Sequence, residues 1–139
     1  MKIVLSDDKN YILRFDPNEE ITRELSNFCE KEKLFAGTIT GIGSASEVTI
    51  SFYNLDTKQY ESVTVARRME IVSLLGNVAL LEGKPFAHLH GIFSDADMQP
   101  ISGHVKELVV SATCEIALTR FDGEVRRAHD PKTGLNLLV

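Results

Sequence analysis

The sequence predicts an α+β domain with one main N-terminal helix and many short, mostly antiparallel strands. Three observations predict it. One stretch carries apolar residues at helical spacing, with start signals before it and lysines at its end. Apolar and polar residues alternate through much of the remaining chain. The segments between those runs are of hairpin length and rich in Gly, Asn, Asp and Pro. No repeat or linker interrupts the 139 residues, so residues 1–139 are expected to form a single domain.

Taken in order, Tyr11, Leu13 and Phe15 alternate and predict a first strand over Lys9 to Phe15. Asp16 then has the chemistry of a helix cap, Pro17 suits a first helical position, and Glu19 stands where a capping box places its acid. Ile21, Leu25, Phe28 and Cys29 form one apolar face, and Lys31 and Lys33 complement the dipole at the far end. These signals predict a helix over about 17–33. The small residues from Ala36 to Gly43 lead into Val48, Ile50 and Phe52, which alternate strictly. Gly41-Ile-Gly43 is followed by strand-like residues and not by a helix, so it lacks the context of a phosphate loop; close packing or a bulge is the expected use.

Asn54 to Lys58 reads as a turn and Tyr60 to Ala66 as the next strand. Met69 to Leu75 and Val78 to Leu81 are two apolar runs separated by Gly76-Asn77, which is expected to be a hairpin turn. Glu82 to Pro85 forms a further turn and Phe86 to Phe93 a strand. Ser94 to Gly103 is polar, contains Pro100 and is expected to be a loop. Leu108 to Leu118 suits a strand covered on both faces. Val125 to Ala128, a turn at Asp130 to Gly134, and Leu135 to Val139 complete the chain.

Composition excludes several classes. A 43% hydrophobic, 25% charged chain is ordinary for a globular protein and long enough to bury a core. The net charge of −5 argues against a protein that wraps nucleic acid, because phosphate binding draws on clustered Lys and Arg. The doublets Arg67-Arg68 and Arg126-Arg127 stand in no basic run and are expected on solvated surface. Cys29 and Cys114 are far apart and outside any metal-ligand spacing, and the N-terminus has no apolar leader. No apolar run approaches the ~18 residues of a membrane span. Buried thiols in a reducing, cytoplasmic setting are the expectation.

The stretch Gly83 to His104 carries the candidate chemistry, with His88 and His90 in an H-x-H pair on a strand and His104 as an expected third ligand borne on the loop that reverses direction after it. On a strand, residues two apart share a face and lie roughly 6.6–6.8 Å apart along the backbone. Three imidazoles suit zinc, which commonly takes three protein ligands and a water; nickel, iron or manganese fit less specifically. The same spacing also suits histidines that merely hydrogen-bond to backbone, and it leaves both readings open. Asp95, Asp97 and Glu115 are acidic candidates for a fourth ligand or an acid–base role, although each also reads as an ordinary surface carboxylate. His129 reads as an exposed turn residue. Cys114, in an apolar strand without a basic neighbour, reads as inert, and no serine stands in a nucleophile elbow.

Gly83-Lys-Pro-Phe-Ala-His-Leu-His90, then Ser102-Gly-His104, and the ending Arg127-Ala-His-Asp-Pro-Lys-Thr-Gly-Leu-Asn-Leu-Leu138 resemble the PPC domain of plants and prokaryotes. Gly41-Ile-Gly-Ser44 and the strand Val48 to Tyr53 resemble it too, so the likeness runs through nearly the whole chain in order. It implies a highly curved antiparallel sheet, assembly as a homotrimer, and a divalent-metal site at His88, His90 and His104. It also brings the label of a predicted DNA-binding or regulatory protein, against which the net charge stands. One departure is Ser102-Gly103-His104-Val105, where the family usually has Gly-Gly-His-Leu. More distantly, the histidine pattern resembles the zinc ligands of acetolactate decarboxylase, which implies metal-dependent lyase chemistry on a small molecule as the alternative function.

Overall fold

Long bent strands dominate the architecture. A computed structural model describes residues 1–139, and strands take up 64% of them. In chain order the elements are β1 (Lys2–Ser6), β2 (Asn10–Phe15), α1 (Ile21–Lys31), β3 (Gly37–Asn54), β4 (Gln59–Val65), β5 (Met69–Leu81), β6 (Lys84–Ser94), β7 (Pro100–Arg120), β8 (Arg126–His129) and β9 (Asn136–Leu138). All nine strands belong to one sheet. Every pairing is antiparallel except that of β5 with β8.

Curvature follows from who pairs with whom. β3 pairs with both β5 and β7, and β6 also pairs with both β5 and β7. These four strands therefore close a cycle, which flat strands cannot do. β3 bends to close it through register shifts at Gly41/Gly43, Gly43/Ala45 and Ala45/Glu47, the effect a bulge has on a strand. At Gly43 an added Cβ would lie 2.4 Å from the Thr113 carbonyl oxygen, so the close approach of β7 requires glycine there.

Helix α1 covers one side of the sheet and packs against β6 and β7 through Ile21, Leu25, Phe28 and Cys29. The core runs from these residues through Leu13, Phe15, Ile39, Leu74, Leu89, Phe93, Leu108 and Ile116, all essentially without solvent exposure. The opposite face of the sheet carries no helix.

The helix is shorter than its sequence signals predict. It begins at Ile21, with Glu20 as its cap, accepting from the Thr22 and Arg23 amides at 3.0 and 2.7 Å. Glu19 does reach back to the Asp16 amide at 2.8 Å, but the expected cap at Asp16 instead turns its carboxylate to Lys2 and Arg14. Tertiary pairing decides this. The Asn18 amide donates to the Val110 carbonyl, the Val110 amide donates to Glu19, and Glu20 bridges to Val109. Residues 18–20 are held on β7 as an edge and cannot also be helical.

Two further expectations differ from the structure, and one strand is added. Gly76-Asn77 is not a turn but lies inside β5; the reversal comes only at Glu82 and Gly83, both at positive φ as a tight hairpin turn needs. Gly76 serves close approach instead, since an added Cβ would lie 2.2 Å from the His88 carbonyl oxygen. The loop expected over 94–103 shrinks to 95–99, because β7 starts at Pro100 and absorbs the rest. β1, unmarked by any strong sequence signal, adds an exposed edge strand beside β2.

Replacing Gly76 by Ala should therefore push β5 and β6 apart where His88 is carried. The expected loss is about 1–3 kcal/mol of stability, the usual cost of overpacking, read from the urea midpoint. An unchanged midpoint would show that β6 can move aside freely.

Candidate metal centre

β6 and β7 pair so that His90 stands opposite His104, and Asn77 of β5 stands opposite His88. Directly paired residues share a face, and His88 shares it with His90 by the two-residue period. The intervening Ala87, Leu89 and Val105 point the other way and are buried under the helix side. Alternation thus puts all three imidazoles on the helix-free face. His104 arrives there from a strand and not from a loop, as the sequence had led one to expect.

The rings converge. Centroid separations are 5.1 Å for His88 and His90, 5.0 Å for His88 and His104, and 5.5 Å for His90 and His104. One nitrogen from each lies within 4.8 Å of the others. The tightest pair is His88 Nε2 and His104 Nδ1 at 3.1 Å. A tetrahedral zinc at ~2.0–2.1 Å from each ligand sets two nitrogens roughly 3.3–3.4 Å apart, so the spacing and the donor chemistry fit a divalent ion. His88 and His104 are half-buried, and His90 is exposed.

Burial sets the protonation of the cluster. Desolvation, followed by the positive field of Arg127 and the other imidazoles, pulls the His88 pKa down to about 4. His104 is lowered in the same way, by burial first and then by His90, Lys106 and Arg127. Both are neutral near pH 7, the form in which a ring nitrogen keeps a lone pair for a metal.

The acidic candidates are not brought here. Asp95 pairs with Arg67 at 2.8 Å and holds the 95–99 turn by accepting from the Asp97 and Gln99 amides. Asp97 is exposed in that turn, and Glu115 is exposed in β7 opposite Arg14 and Ile42. None of them joins the cluster. His129 is exposed in β8, apart from the three histidines. Cys29 and Cys114 are buried thiols, each pushed up to about 12 by desolvation, as inert thiols should be.

Arg127 is the site residue that sequence reasoning missed. It was expected on solvated surface, yet it is half-buried and donates from Nη2 to Asn77 Oδ1 at 2.8 Å and to His88 Nδ1 at 3.1 Å. Nη1 donates to the Asn136 carbonyl at 3.0 Å, and the guanidinium carbon lies 5.8 Å from the Phe86 ring centre. Because His88 Nδ1 accepts, the proton of neutral His88 sits on Nε2, facing His104. The usable signal was period two on a short strand: of two adjacent arginines, one must face inward. Tyr60 closes another side, its ring 5.3 Å from that of His104.

The family model described as the Plants and Prokaryotes Conserved (PCC) domain matches residues 4–122. The chain belongs to this family. A candidate DNA-binding protein from Bacteroides thetaiotaomicron superposes with a TM-score of 0.93 at 28% identity, covering 97% of this chain and 94% of that one. A protein described as metal-containing, from Archaeoglobus fulgidus, gives a TM-score of 0.89 at 31% identity, with 100% and 99% covered. Acetolactate decarboxylase from Bacillus subtilis gives a TM-score of 0.56 at 16% identity, with 79% and 52% covered, a likeness of fold alone. Among curated proteins, the bifunctional protein GlmU of Synechococcus sp. (strain JA-3-3Ab) is 29% identical over 127 residues, 89% of this chain. This PCC-domain chain corresponds to only 19% of that relative's length. No helix is long and apolar enough to cross a membrane.

The low His88 pKa has a measurable sign. The unfolded chain protonates His88 at its ordinary 6.5, while the folded protein holds it neutral down to about pH 4. Between these values the unfolded state binds more protons, so stability is fully present above about pH 6.5 and falls as pH drops toward 4. His104 adds in the same direction. Urea midpoints of metal-free protein should drop between pH 7.5 and pH 5, and drop less in His88→Gln. Equal drops in both proteins would remove His88 as the cause.

Proposed function

We propose that this PCC-domain protein is a small regulatory module whose His88, His90 and His104 hold a divalent metal ion, zinc by preference. The carrying observation is the convergence of three imidazoles, with a nitrogen from each within 4.8 Å of the others, on one sheet face. The metal-containing relative from Archaeoglobus fulgidus supports the same reading. Held by His88, His90 and His104, such an ion would supply Lewis-acid chemistry, polarising a carbonyl or activating a water. Elemental analysis of untagged protein is expected to find about one equivalent of metal per chain, lost in His88→Ala and His104→Ala. Metal-free protein from a gentle preparation would remove the reading.

The module is further proposed to work as a homotrimer. Ile12, Ile42, Leu75 and Ile92 are exposed on the helix-free face, and Leu75 is the direct strand partner of His90. An apolar row of this kind marks an association surface. Leu75→Glu should shift the sedimentation coefficient from trimer to monomer; an unchanged coefficient would place any interface elsewhere.

DNA enters only through the names of similar proteins. With net charge −5, binding to duplex DNA is expected to be weak even at low salt. Saturable binding that weakens steeply with added salt would restore the DNA-binding role. A second reading, a metal-dependent enzyme acting on a small molecule, is favoured by one observation: the histidines line a cavity of about 510 Å³. The size suits a small organic ligand.

A further inference from the structure

We propose that the histidine cavity binds a small organic acid, with Arg127 pairing its carboxylate next to the metal. The contact to the metal rests on the reading above; the contact to Arg127 rests on the charge of the cavity itself.

The chain carries a net charge of −5, yet no Asp or Glu lines this cavity. Arg127 and the three histidines do. Arg127 enters none of the ion pairs of the protein. Its three hydrogen-bond acceptors are the Asn136 carbonyl, Asn77 Oδ1 and His88 Nδ1, all uncharged. Its Nε is buried and has no acceptor at all. A desolvated cation normally has an anionic partner, because removing it from water costs more than neutral acceptors return. A divalent ion at the histidines adds positive charge to the same enclosure. Both unbalanced charges are met by one bound anion.

His88 links the two. Its Nδ1 accepts from Arg127 only while the ring proton is on Nε2. A ligand bond at Nε2 requires that lone pair and moves the proton to Nδ1, which then no longer accepts. A metal held at Nε2 would therefore remove one of the three acceptors of Arg127 and leave Asn77 Oδ1 as the one remaining partner of Nη2. The guanidinium fork is the group that grips a planar carboxylate with two parallel bonds.

The rest of the wall selects for an acid with an apolar body. Phe52, Tyr60, Phe86 and Leu137 line the cavity, and the Arg127 guanidinium is the only unpaired side-chain cation among its lining residues. A carboxylate of a few carbons places its charge on Arg127 and its chain against the aromatic rings.

Calorimetric titration with 2-oxobutyrate, its methyl ester and inorganic phosphate tests this, using zinc-loaded and chelator-stripped protein. The acid is expected to bind the zinc-loaded protein at least about tenfold more tightly than the ester or phosphate, the usual effect of a charge-assisted pair. Arg127→Gln should lose that margin while keeping the metal content of the wild type, and Arg127→Lys should recover part of it. Urea midpoints establish that both variants are folded. Should the wild type hold no metal, the metal reading fails, while stripped protein that still prefers the acid through Arg127 sustains the carboxylate site. Equal affinity for acid and ester, phosphate binding as tight as the acid, or an unaltered affinity in folded Arg127→Gln would each overturn it.

Discussion

Everything at this site depends on the register in which β6 and β7 pair. With His90 opposite His104, the three imidazoles share one face; a slip of one residue would send His104 toward the helix and bring Val105 out. That register is not free to slip. Leu89 and Val105 are paired in the same ladder and are buried, so displacing them exposes core surface. β6 is also held on its other side by β5, within the closed cycle of β3, β5, β6 and β7. Packing of the core thus fixes the geometry of the polar cluster on the opposite face.

A second consequence of the cycle is electrostatic. Bending the sheet brings β8 alongside β5 and places Arg127 over His88, in a cavity without any acidic group. Desolvation and the guanidinium act together on His88 and keep it neutral. The acidic residues of the chain all lie outside the lining of this cavity. The acid-free cavity in an acidic protein explains why whole-chain charge is a poor guide to the ligand of this particular site.

Local chemistry was a good guide where few competing partners exist. The apolar face of α1, the Glu82-Gly83 turn, the bulge at Gly41 to Gly43 and the buried thiols all read directly from the residues. It misled where distant strands compete. Asp16 and Pro17 have the chemistry of a helix start, but the hydrogen bonds that Asn18 and Glu19 exchange with Val110 outweigh it. Gly76-Asn77 has the chemistry of a turn, but serves the close approach of β6. Pro100 looked like loop punctuation and instead opens a long strand, at its first residue, where the missing amide matters least.

Residue type and short-range period suffice for the α+β class, for the apolar face of the helix and for singling out the three histidines. Which other groups meet those histidines is a property of the folded sheet alone. Arg127 lies 39 positions from His88 and Tyr60 lies 44 from His104, and neither separation carries a period. Closure of a bent sheet brings them together, and that closure is an outcome of core packing, which no local pattern records.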